Sequence, residues 1–227
     1  MSRIKDYILG DFRHDEFMKI SKLLKNIPRK AKVLDVGCGY GKKIKLLNSL
    51  GFSDITGVEI NEKVLNANRA KGLNVVSPAE FELLQEKYDL IVMSHIIEHF
   101  QYAELKEFME SYLNKLETGG HLLIATPILD SGFYTNFDHV KPYLPDGIKS
   151  VFENADAQIS FYSKVRLKLA NIYFRRSPFT LRFFRSYYLG SPSIFLRFSN
   201  FVLLVLFNAT GRIFGKTNGW LGLYIKC

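Results

Sequence analysis

The segment "KVLDVGCGYG", residues 32–41, constrains the fold of this chain more than any other segment. A short apolar run typical of a buried strand leads into three glycines at alternate positions, Gly37, Gly39 and Gly41. Apolar residues then recur at helical spacing, so a strand, a tight turn and a helix follow one another. Glycines at such a turn let the backbone approach a ligand closely, at a helix N-terminus that favours polar groups. The segment predicts the start of a ligand-binding α/β unit.

Strands and helices alternate over the first two thirds of the chain. A helix that ends before Pro28 is predicted to precede the first strand, and Asn61 is predicted to cap a later helix. The strands after the first are predicted at "ITGVEI", "LNVV", "YDLIVMS" and "HLLIATP", and two more at "AQISFYS" and "WLGLYIKC". This alternation favours a parallel sheet covered by helices on both faces.

The last two predicted strands are separated by about 55 residues, whereas hairpin loops have roughly 2–5. We therefore predict a main domain of residues 1–161 plus 218–227, with an insertion at residues 162–217. Within the insertion, the stretch "KVRLKL" fits a strand by alternation and a helix by the spacing of its apolar residues. Periodicity does not decide between the two.

The net charge of +9 is concentrated in the C-terminal third of the chain. Residues 157–227 contain eleven Lys and Arg and no Asp or Glu, whereas residues 1–156 have a net charge of −2. Such asymmetry predicts an anionic partner, either a membrane surface or nucleic acid. The two cysteines imply no disulfide framework, and the charged first residues do not resemble a signal peptide. We therefore expect a cytoplasmic location, with peripheral contact at the inner membrane surface as a further expectation.

Glu59 ends the second predicted strand, 18 residues after Gly41. A carboxylate at this place can accept hydrogen bonds from both hydroxyls of a ribose. The spacing of the glycines differs from the G-x-G-x-x-G of pyrophosphate-binding turns, and no Walker lysine pattern is present. Together with the strand–turn–helix context, Glu59 predicts a nucleotide site.

At this point the chain resembles the class I S-adenosylmethionine-dependent methyltransferases. The resemblance rests on "VLDVGCGYG", "GVEI", "YDLIVMSHIIEHF", "TGGHLLIATP" and "DHVKPYLPDGI", and covers residues 15–160 and the final strand. Its nearest similarity is to the small-molecule O-methyltransferase branch, with its ubiquinone-biosynthesis and glycan- or lipid-modifying enzymes. The resemblance implies a Rossmann-like, doubly wound, mostly parallel seven-stranded sheet with an antiparallel last strand. It also implies S-adenosylmethionine as the cofactor.

The resemblance also assigns cofactor contacts to this sequence. The carboxylate of Asp35 and the backbone of the glycine turn would hold the methionine part, Glu59 the ribose, and Ile60 the adenine face. The residues expected to bind the cofactor are Asp35, Gly37, Cys38, Gly39, Gly41, Glu59, Ile60, Ala79, Glu80 and Ser94. The family often has an Asp before the Ala-Glu pair, and this chain has Pro78 there, so recognition of the adenine edge would rest on backbone groups or on Glu80.

Two histidines are predicted to be catalytic. Methyl transfer to a hydroxyl requires alignment and a base that works near neutral pH, for which histidine is suited. His95 follows the fourth strand, at the sheet edge where α/β proteins bind ligands, and His139 matches a histidine that this branch commonly carries. The run "SHIIEHF" contains His-x-x-Glu-His, but it straddles a strand end rather than a helix, so no metal is predicted.

The predicted insertion alternates arginines with aromatic residues, as in "IYFRRSPFTLRFFRSYYLG". Such a segment can face lipid headgroups, form a packed lid over the active site, or bind nucleic acid. The apolar run "IFLRFSNFVLLVLF" has 14 residues, fewer than the roughly 20 needed to span a bilayer. We favour a membrane-facing or lipid-substrate lid over the packed lid and over nucleic acid.

The sequence therefore predicts a methyltransferase acting on a small-molecule, glycan or lipid-linked acceptor, with O-methylation as the expected reaction. The alternative is a non-catalytic membrane- or nucleic-acid-binding protein with a degenerate cofactor pocket.

Overall fold

The computed structural model describes residues 12–153 and 162–227. The strands within these residues are β1 Val33–Val36, β2 Ile55–Val58, β3 Val75–Val76, β4 Tyr88–Ser94, β5 Leu116–Pro127, β6 Leu167–Ser177 and β7 Lys216–Lys226. The α-helices are α1 Phe12–Leu23, α2 Lys42–Ser49, α3 Glu62–Arg69, α4 Pro78–Leu83, α5 Tyr102–Leu113, α6 Pro145–Phe152, α7 Arg185–Tyr188 and α8 Ile194–Ala209. Single turns of 3₁₀-helix lie at Ile97–His99 and Phe133–Thr135.

The strands form one seven-stranded sheet in the order β3-β2-β1-β4-β5-β7-β6. Strands β1 to β5 pair in parallel, and β7 lies antiparallel between β5 and β6. The predicted fold class, including the antiparallel last strand, is confirmed. The strand order reverses between β1 and β4, and in open α/β sheets ligands bind outside the carboxyl ends of the strands at such a point.

The sheet buries apolar side chains on both faces, as expected of strands covered by helices. All four residues of β1 are buried, and β4 is buried at five of its seven positions. One face packs around Leu34, Met93 and Trp220, and the opposite face around Val33 and Leu123. This two-sided core fixes the carboxyl ends of β1, β2 and β4 side by side.

The helix cap predicted at Asn61 forms, and a capping box that was not predicted forms as well. The Asn61 side chain accepts a hydrogen bond from the Val64 N–H at 3.2 Å and starts α3. Ser77 and Glu80 form a reciprocal capping box at the start of α4. Gly41, with φ of 74°, precedes α2.

The sixth strand of the sheet begins later in the chain than predicted. "KVRLKL" leads into β6, so the choice between strand and helix falls to the strand. The strand predicted at "AQISFYS" lies outside the described residues except for Tyr162 and Ser163, which are not in a strand. Strand β6 lies inside the range 162–217 predicted as an insertion, so the parts of that range outside the sheet are 162–166 and 178–215. The domain division itself stays a prediction.

Helix α1 contacts the C-terminal region through hydrogen bonds and an ion pair. The Lys19 Nζ donates a hydrogen bond to the Phe174 carbonyl at 2.7 Å, and Asp15 forms an ion pair with Arg212 at 3.0 Å. The Arg176 N–H also donates to the Asp15 carboxylate at 2.9 Å. Among the described helices, none has the length and apolar character required to cross a membrane.

Candidate active site

The glycine turn between β1 and α2 has the backbone conformation that its sequence predicts. Gly37, Gly39 and Gly41 have φ values of 66°, 50° and 74°, which other residues adopt with strain. A Cβ on Gly37 would lie 2.0 Å from the Ile96 side chain, so this position leaves no room for one. A Cβ on Gly39 would meet no described atom within 4 Å. The turn therefore presents open space beside Gly39.

Glu59 is fixed beside this turn by two backbone groups. Its Oε2 accepts a hydrogen bond from the Gly39 N–H and its Oε1 one from the Asn61 N–H, both at 2.8 Å. Each carboxylate oxygen has a second lone pair, so the carboxylate can still accept from two ribose hydroxyls. The turn and its acid are thus one rigid unit, as the predicted ribose site requires.

Three buried polar atoms near this unit have no hydrogen-bond partner among the described residues: Asp35 Oδ2 on β1, Ser94 Oγ at the end of β4, and Oδ1 of Asn68, whose amide nitrogen donates to the Gly39 carbonyl at 2.6 Å. Burial raises the pKa of Asp35 to about 7, with the charge of Lys43 opposing and that of Glu59 adding to the rise. Buried polar groups are normally satisfied, so such orphans indicate a partner that is supplied by a ligand. An ammonium group, such as that of the cofactor's methionine part, fits the carboxylate of Asp35.

A cavity of about 240 Å³ opens next to the glycine turn. Gly37 and Pro78 line it together with the apolar side chains of Ile60 and Ile96 and the ring of Tyr112. Ile60 is 83% exposed, which leaves its side chain available to pack on a flat apolar ligand such as adenine. We call this cavity the cofactor crevice.

Cys38, Ala79 and Glu80 were predicted to bind the cofactor, but their side chains do not point into the cofactor crevice or are engaged elsewhere. Cys38 is buried and its Sγ points toward Gly57, so its side chain faces the sheet and only its backbone is available. Ala79 is exposed on α4. The Glu80 carboxylate accepts from the Ser77 N–H at 2.6 Å and pairs with Arg69, so it is engaged at the helix start. Their predicted roles stay predictions.

A second cavity, of about 490 Å³, lies at the same edge of the sheet, and we call it the large cavity. The side chains that line it come from the end of β4, the loop after β5, β6, the segment after β6, and β7. They are His95, Pro127, Asp130, Gly132, Phe133, Thr135, His139, Arg175, Ser177, Pro178, Thr180, Arg182, Tyr187, Lys216 and Asn218. Both predicted catalytic histidines therefore line one cavity.

His95 is held between two buried carboxylates in a left-handed backbone conformation, φ 59°. Its Nδ1 lies 3.2 Å from Glu98 Oε1 and its Nε2 lies 2.9 Å from Glu16 Oε2. Burial lowers the pKa of His95, but the hydrogen bonds with Glu16 and Glu98 outweigh it, so the pKa is raised. A protonated His95 donates to both carboxylates and has no lone pair for a substrate proton. This geometry suits a fixed positive charge better than a base.

Glu16 was not predicted as part of the site. It is 2% exposed on α1, and its carboxylate meets Lys43 Nζ at 2.6 Å as well as Arg175 Nη1 and His95. Burial raises the pKa of Glu16, but His95, Lys43 and Arg175 together bring it well below its usual value. In the sequence it is one acid among several charges near the N-terminus, and its partners lie up to 159 residues away. No local pattern could have identified it.

His139 is oriented by its backbone surroundings. Its Nδ1 lies 2.8 Å from the Phe133 carbonyl, which can only accept a hydrogen bond, so Nδ1 carries the proton. Its Nε2 then has a free lone pair, as a base requires. His99 is oriented in the same way, with Nδ1 2.9 Å from the Asp138 carbonyl.

The ligand atoms of Glu98, His99 and His139 all lie within 4.8 Å of one another, so these three residues could hold a divalent metal ion. Metal-binding histidines commonly donate their second ring N–H to a carbonyl, as both histidines do here. No metal was predicted, because the run "SHIIEHF" straddles a strand end rather than a helix, and no local pattern brings His139 to it. Both Glu98 oxygens already have partners, Oε1 in His95 and Oε2 in the Thr126 hydroxyl at 3.0 Å.

Comparison with known proteins identifies the family of the chain. A family model described as a methyltransferase domain matches residues 12–179. The chain is 30% identical over 123 residues to the human mitochondrial ubiquinone biosynthesis O-methyltransferase, covering 46% of this chain and 33% of that protein. The chain thus spans about a third of the length of this relative. A crystal structure of a SAM-dependent methyltransferase from Archaeoglobus fulgidus superposes with a TM-score of 0.63 at 22% identity, over 99% of this chain and 98% of that one.

A further match is to a Campylobacter jejuni protein named dephospho-CoA kinase, 26% identical over 140 residues, which covers 60% of this chain and 67% of that protein. This chain has no G-x-x-x-x-G-K-[ST] phosphate-binding loop, so the match does not bring kinase chemistry to its glycine turn. The family model covers most of the chain, and the turn, Glu59 and Asp35 fit the cofactor of that family. The chain therefore belongs to the methyltransferase-domain family, and its cofactor is S-adenosylmethionine.

Proposed function

We propose that this protein transfers a methyl group from S-adenosylmethionine to a hydroxyl oxygen of a small-molecule, glycan or lipid-linked acceptor. The observation that carries the proposal is that His139 lines the large cavity with its Nδ1 engaged by the Phe133 carbonyl, while Ile96, next to His95 of the large cavity, lines the cofactor crevice. The human relative named an O-methyltransferase supports oxygen as the acceptor atom.

The residues of this chain would divide the reaction between them. The cofactor supplies an electrophilic methyl group on a sulfonium. Asp35 would hold its ammonium group and Glu59 its ribose, while His139 Nε2 would take the proton from the acceptor hydroxyl. Alignment of this kind contributes about 7–11 kcal/mol in favourable cases, and a positioned base a further ~10²–10⁴-fold in rate. His95 would act as a positioning residue that carries positive charge between Glu16 and Glu98.

The proposal can be tested with methyl-labelled cofactor. The protein is incubated with small-molecule, glycan and lipid extracts, and labelled products are identified by mass spectrometry. We expect a product labelled on oxygen, and we expect His139→Gln to lower its rate by about 10²-fold or more without weakening cofactor binding. His121→Gln, half-buried on β5 and outside both cavities, is the matched control. A product labelled on nitrogen, or an equal rate for the two variants, would contradict the proposal.

We also propose that residues 178–215 contact an anionic membrane surface. Helix α8 leaves Ile194, Phe195 and Phe198 between 64% and 81% exposed, which is unusual for large apolar side chains grouped on one element. Arg197 lies among them, and no acidic residue occurs in this segment. Apolar side chains beside uncompensated arginines are typical of interfacial helices. This exposure favours a membrane-facing surface over a lid that packs on the protein.

Flotation with liposomes tests this contact. We expect the protein to float with vesicles that contain anionic lipid and to remain below with neutral ones, because arginines contribute about 1 kcal/mol each near an anionic surface. Phe195→Ser should reduce flotation, whereas Leu83→Ser should not, although Leu83 is 79% exposed on α4. Equal loss in both variants would argue against a specific surface, and salt-sensitive binding to RNA instead of vesicles would favour nucleic acid.

A further inference from the structure

We infer that the methyl acceptor carries an anionic group, a carboxylate or a phosphate, which Arg182 and Ser177 bind in the large cavity. This inference rests on the proposed function, since it describes the substrate of the same site. Both residues line the cavity, and they belong to β6 and to the segment after it.

Among the Lys and Arg side chains that line the large cavity, Arg182 alone has no carboxylate partner among the described residues. Arg175 forms an ion pair with Glu16, and its guanidinium also donates to Asn218. The Lys216 Nζ pairs with Asp130 at 2.6 Å. Arg182 forms no ion pair with any residue that the structure describes. The cavity therefore offers a net positive group for an anion.

Two buried polar atoms on the cavity wall have no hydrogen-bond partner within the described ranges: Arg182 Nη2 and Ser177 Oγ. Ser177 is 7% exposed, so its hydroxyl is withheld from solvent as well. Leaving such donors unpaired is unfavourable, and few native side chains do so without a ligand or ion. An anion in the cavity would supply the missing acceptor for both.

The guanidinium of Arg182 is also held in place. It lies over the Phe183 ring at 5.4 Å, and a Cβ on Gly132 would come within 3.3 Å of its Nη1. Glycine at this position therefore makes room for the guanidinium against the loop after β5. A planar, immobilised guanidinium is suited to bidentate binding of carboxylate or phosphate oxygens.

The rest of the cavity wall suits an apolar or aromatic body for the acceptor. Phe133 and Tyr187 contribute rings, and Pro127 and Pro178 contribute apolar surface. His139 lies on the same wall, with its Nε2 free for a hydroxyl. An acceptor with an anionic group at Arg182 and a hydroxyl at His139 would therefore satisfy both polar parts of the cavity.

Calorimetry with simple probes tests the inference on the full chain loaded with S-adenosylhomocysteine. Phenyl phosphate and benzoate serve as anionic probes, and benzyl alcohol as the neutral one. We expect at least one anion to bind at least ten times more tightly than the alcohol, and the tighter anion to identify the group. Arg182→Gln should weaken that binding about tenfold or more, Arg182→Lys less, and Ser177→Ala a few-fold. Arg197→Gln, the same charge change on exposed α8, should leave it unchanged.

Two outcomes would overturn the inference: binding of benzyl alcohol as tight as that of the anions, or equal effects of Arg182→Gln and Arg197→Gln. The variants must retain their affinity for S-adenosylhomocysteine, which shows that they fold. This control also separates the two proposals. If wild-type protein fails to bind S-adenosylhomocysteine, the proposed function fails, whereas normal cofactor binding without anion binding overturns only the acceptor assignment.

Discussion

The substitution Glu16→Gln removes a single buried charge on which three cationic side chains converge. Lys43 and His95 lie 2.6 Å and 2.9 Å from its carboxylate oxygens, and Arg175 donates to it as well. The amide of glutamine has nearly the same shape but only one acceptor oxygen and no charge. The substitution thus tests electrostatics while it preserves packing.

The expected loss of stability is large because Glu16 and Arg175 are almost fully buried. The side chains of Glu16 and Arg175 are 3% and 4% exposed. Removing one partner of a buried ion pair costs about 3–5 kcal/mol, since the remaining charges stay buried without compensation. The remaining amide oxygen places the expected loss near the lower end, at about 3 kcal/mol. An exposed ion pair contributes roughly 0–1 kcal/mol.

The loss should depend on pH in a defined direction. The pKa of Glu16 is lowered in the folded protein. Its contribution to stability is therefore present above pH 4.5 and is lost as the pH falls through the pKa of the folded state. The pKa of His95 is raised in the folded protein. Its contribution to stability is therefore present below pH 6.5 and is lost as the pH rises through the pKa of the folded state. The difference between wild type and variant should therefore be largest between pH 4.5 and 6.5.

Urea unfolding at pH 5.5 and pH 8 measures this difference. The midpoint should fall by about 1 M for the variant at pH 5.5, and by less at pH 8. Glu86→Gln is the matched control, since Glu86 pairs with Lys32 at 2.7 Å but is 47% exposed. If the two variants lose the same stability, or if the difference grows at pH 8, the role assigned to the Glu16 cluster is wrong.

The remaining predictions concern the cofactor site. Glu59→Ala should weaken S-adenosylhomocysteine binding by about 100-fold or more in calorimetry, because two charge-assisted hydrogen bonds contribute about 1.5–3 kcal/mol each, while Glu62→Ala on exposed α3 should not. Asp35→Asn should stabilise the cofactor-free protein toward urea at pH 8 by up to about 4 kcal/mol and little below pH 4. The raised pKa, about 7 against 3.8, makes wild-type stability fall as the pH rises through that window. Gly39→Ala should cost only about 1 kcal/mol of stability, since its Cβ meets open space at a positive φ, yet should weaken cofactor binding; unchanged affinity would contradict the proposed location of the cofactor.

The parts of the fold that the sequence predicted correctly depend on neighbours in the chain. The strand, glycine turn and helix at residues 33–49 are specified by short-range patterns, and so is the cap at Asn61. Their location at a common sheet edge follows from the rules of parallel sheets. The sequence alone therefore suffices to recognise the glycine turn and Glu59 as one site.

The parts that were not predicted depend on distant contacts. Glu16 joins Arg175 across 159 positions, and the cluster of Glu98, His99 and His139 requires the loop after β5 to fold back. Strand β6 was not recognised beyond "KVRLKL" because its exposed and buried positions do not alternate regularly: Ala170 and Asn171 are both exposed, and the charged Arg175 is buried. Residues of β6 become buried only when the strand pairs with β7 and packs against α1. No local sequence pattern predicts either contact.

The ion pair between Glu16 and Arg175 also has a consequence for protein synthesis. The cofactor-binding half, β1 to β4, could fold as soon as it leaves the ribosome, because its strands are adjacent in sequence. Helix α1 is made first, yet its buried carboxylate finds its arginine only after more than 150 further residues have been translated. A nascent chain could thus form the glycine turn and its contact with Glu59 while the wall of the large cavity is still incomplete. The large cavity would be complete only once β6 and β7 are in place.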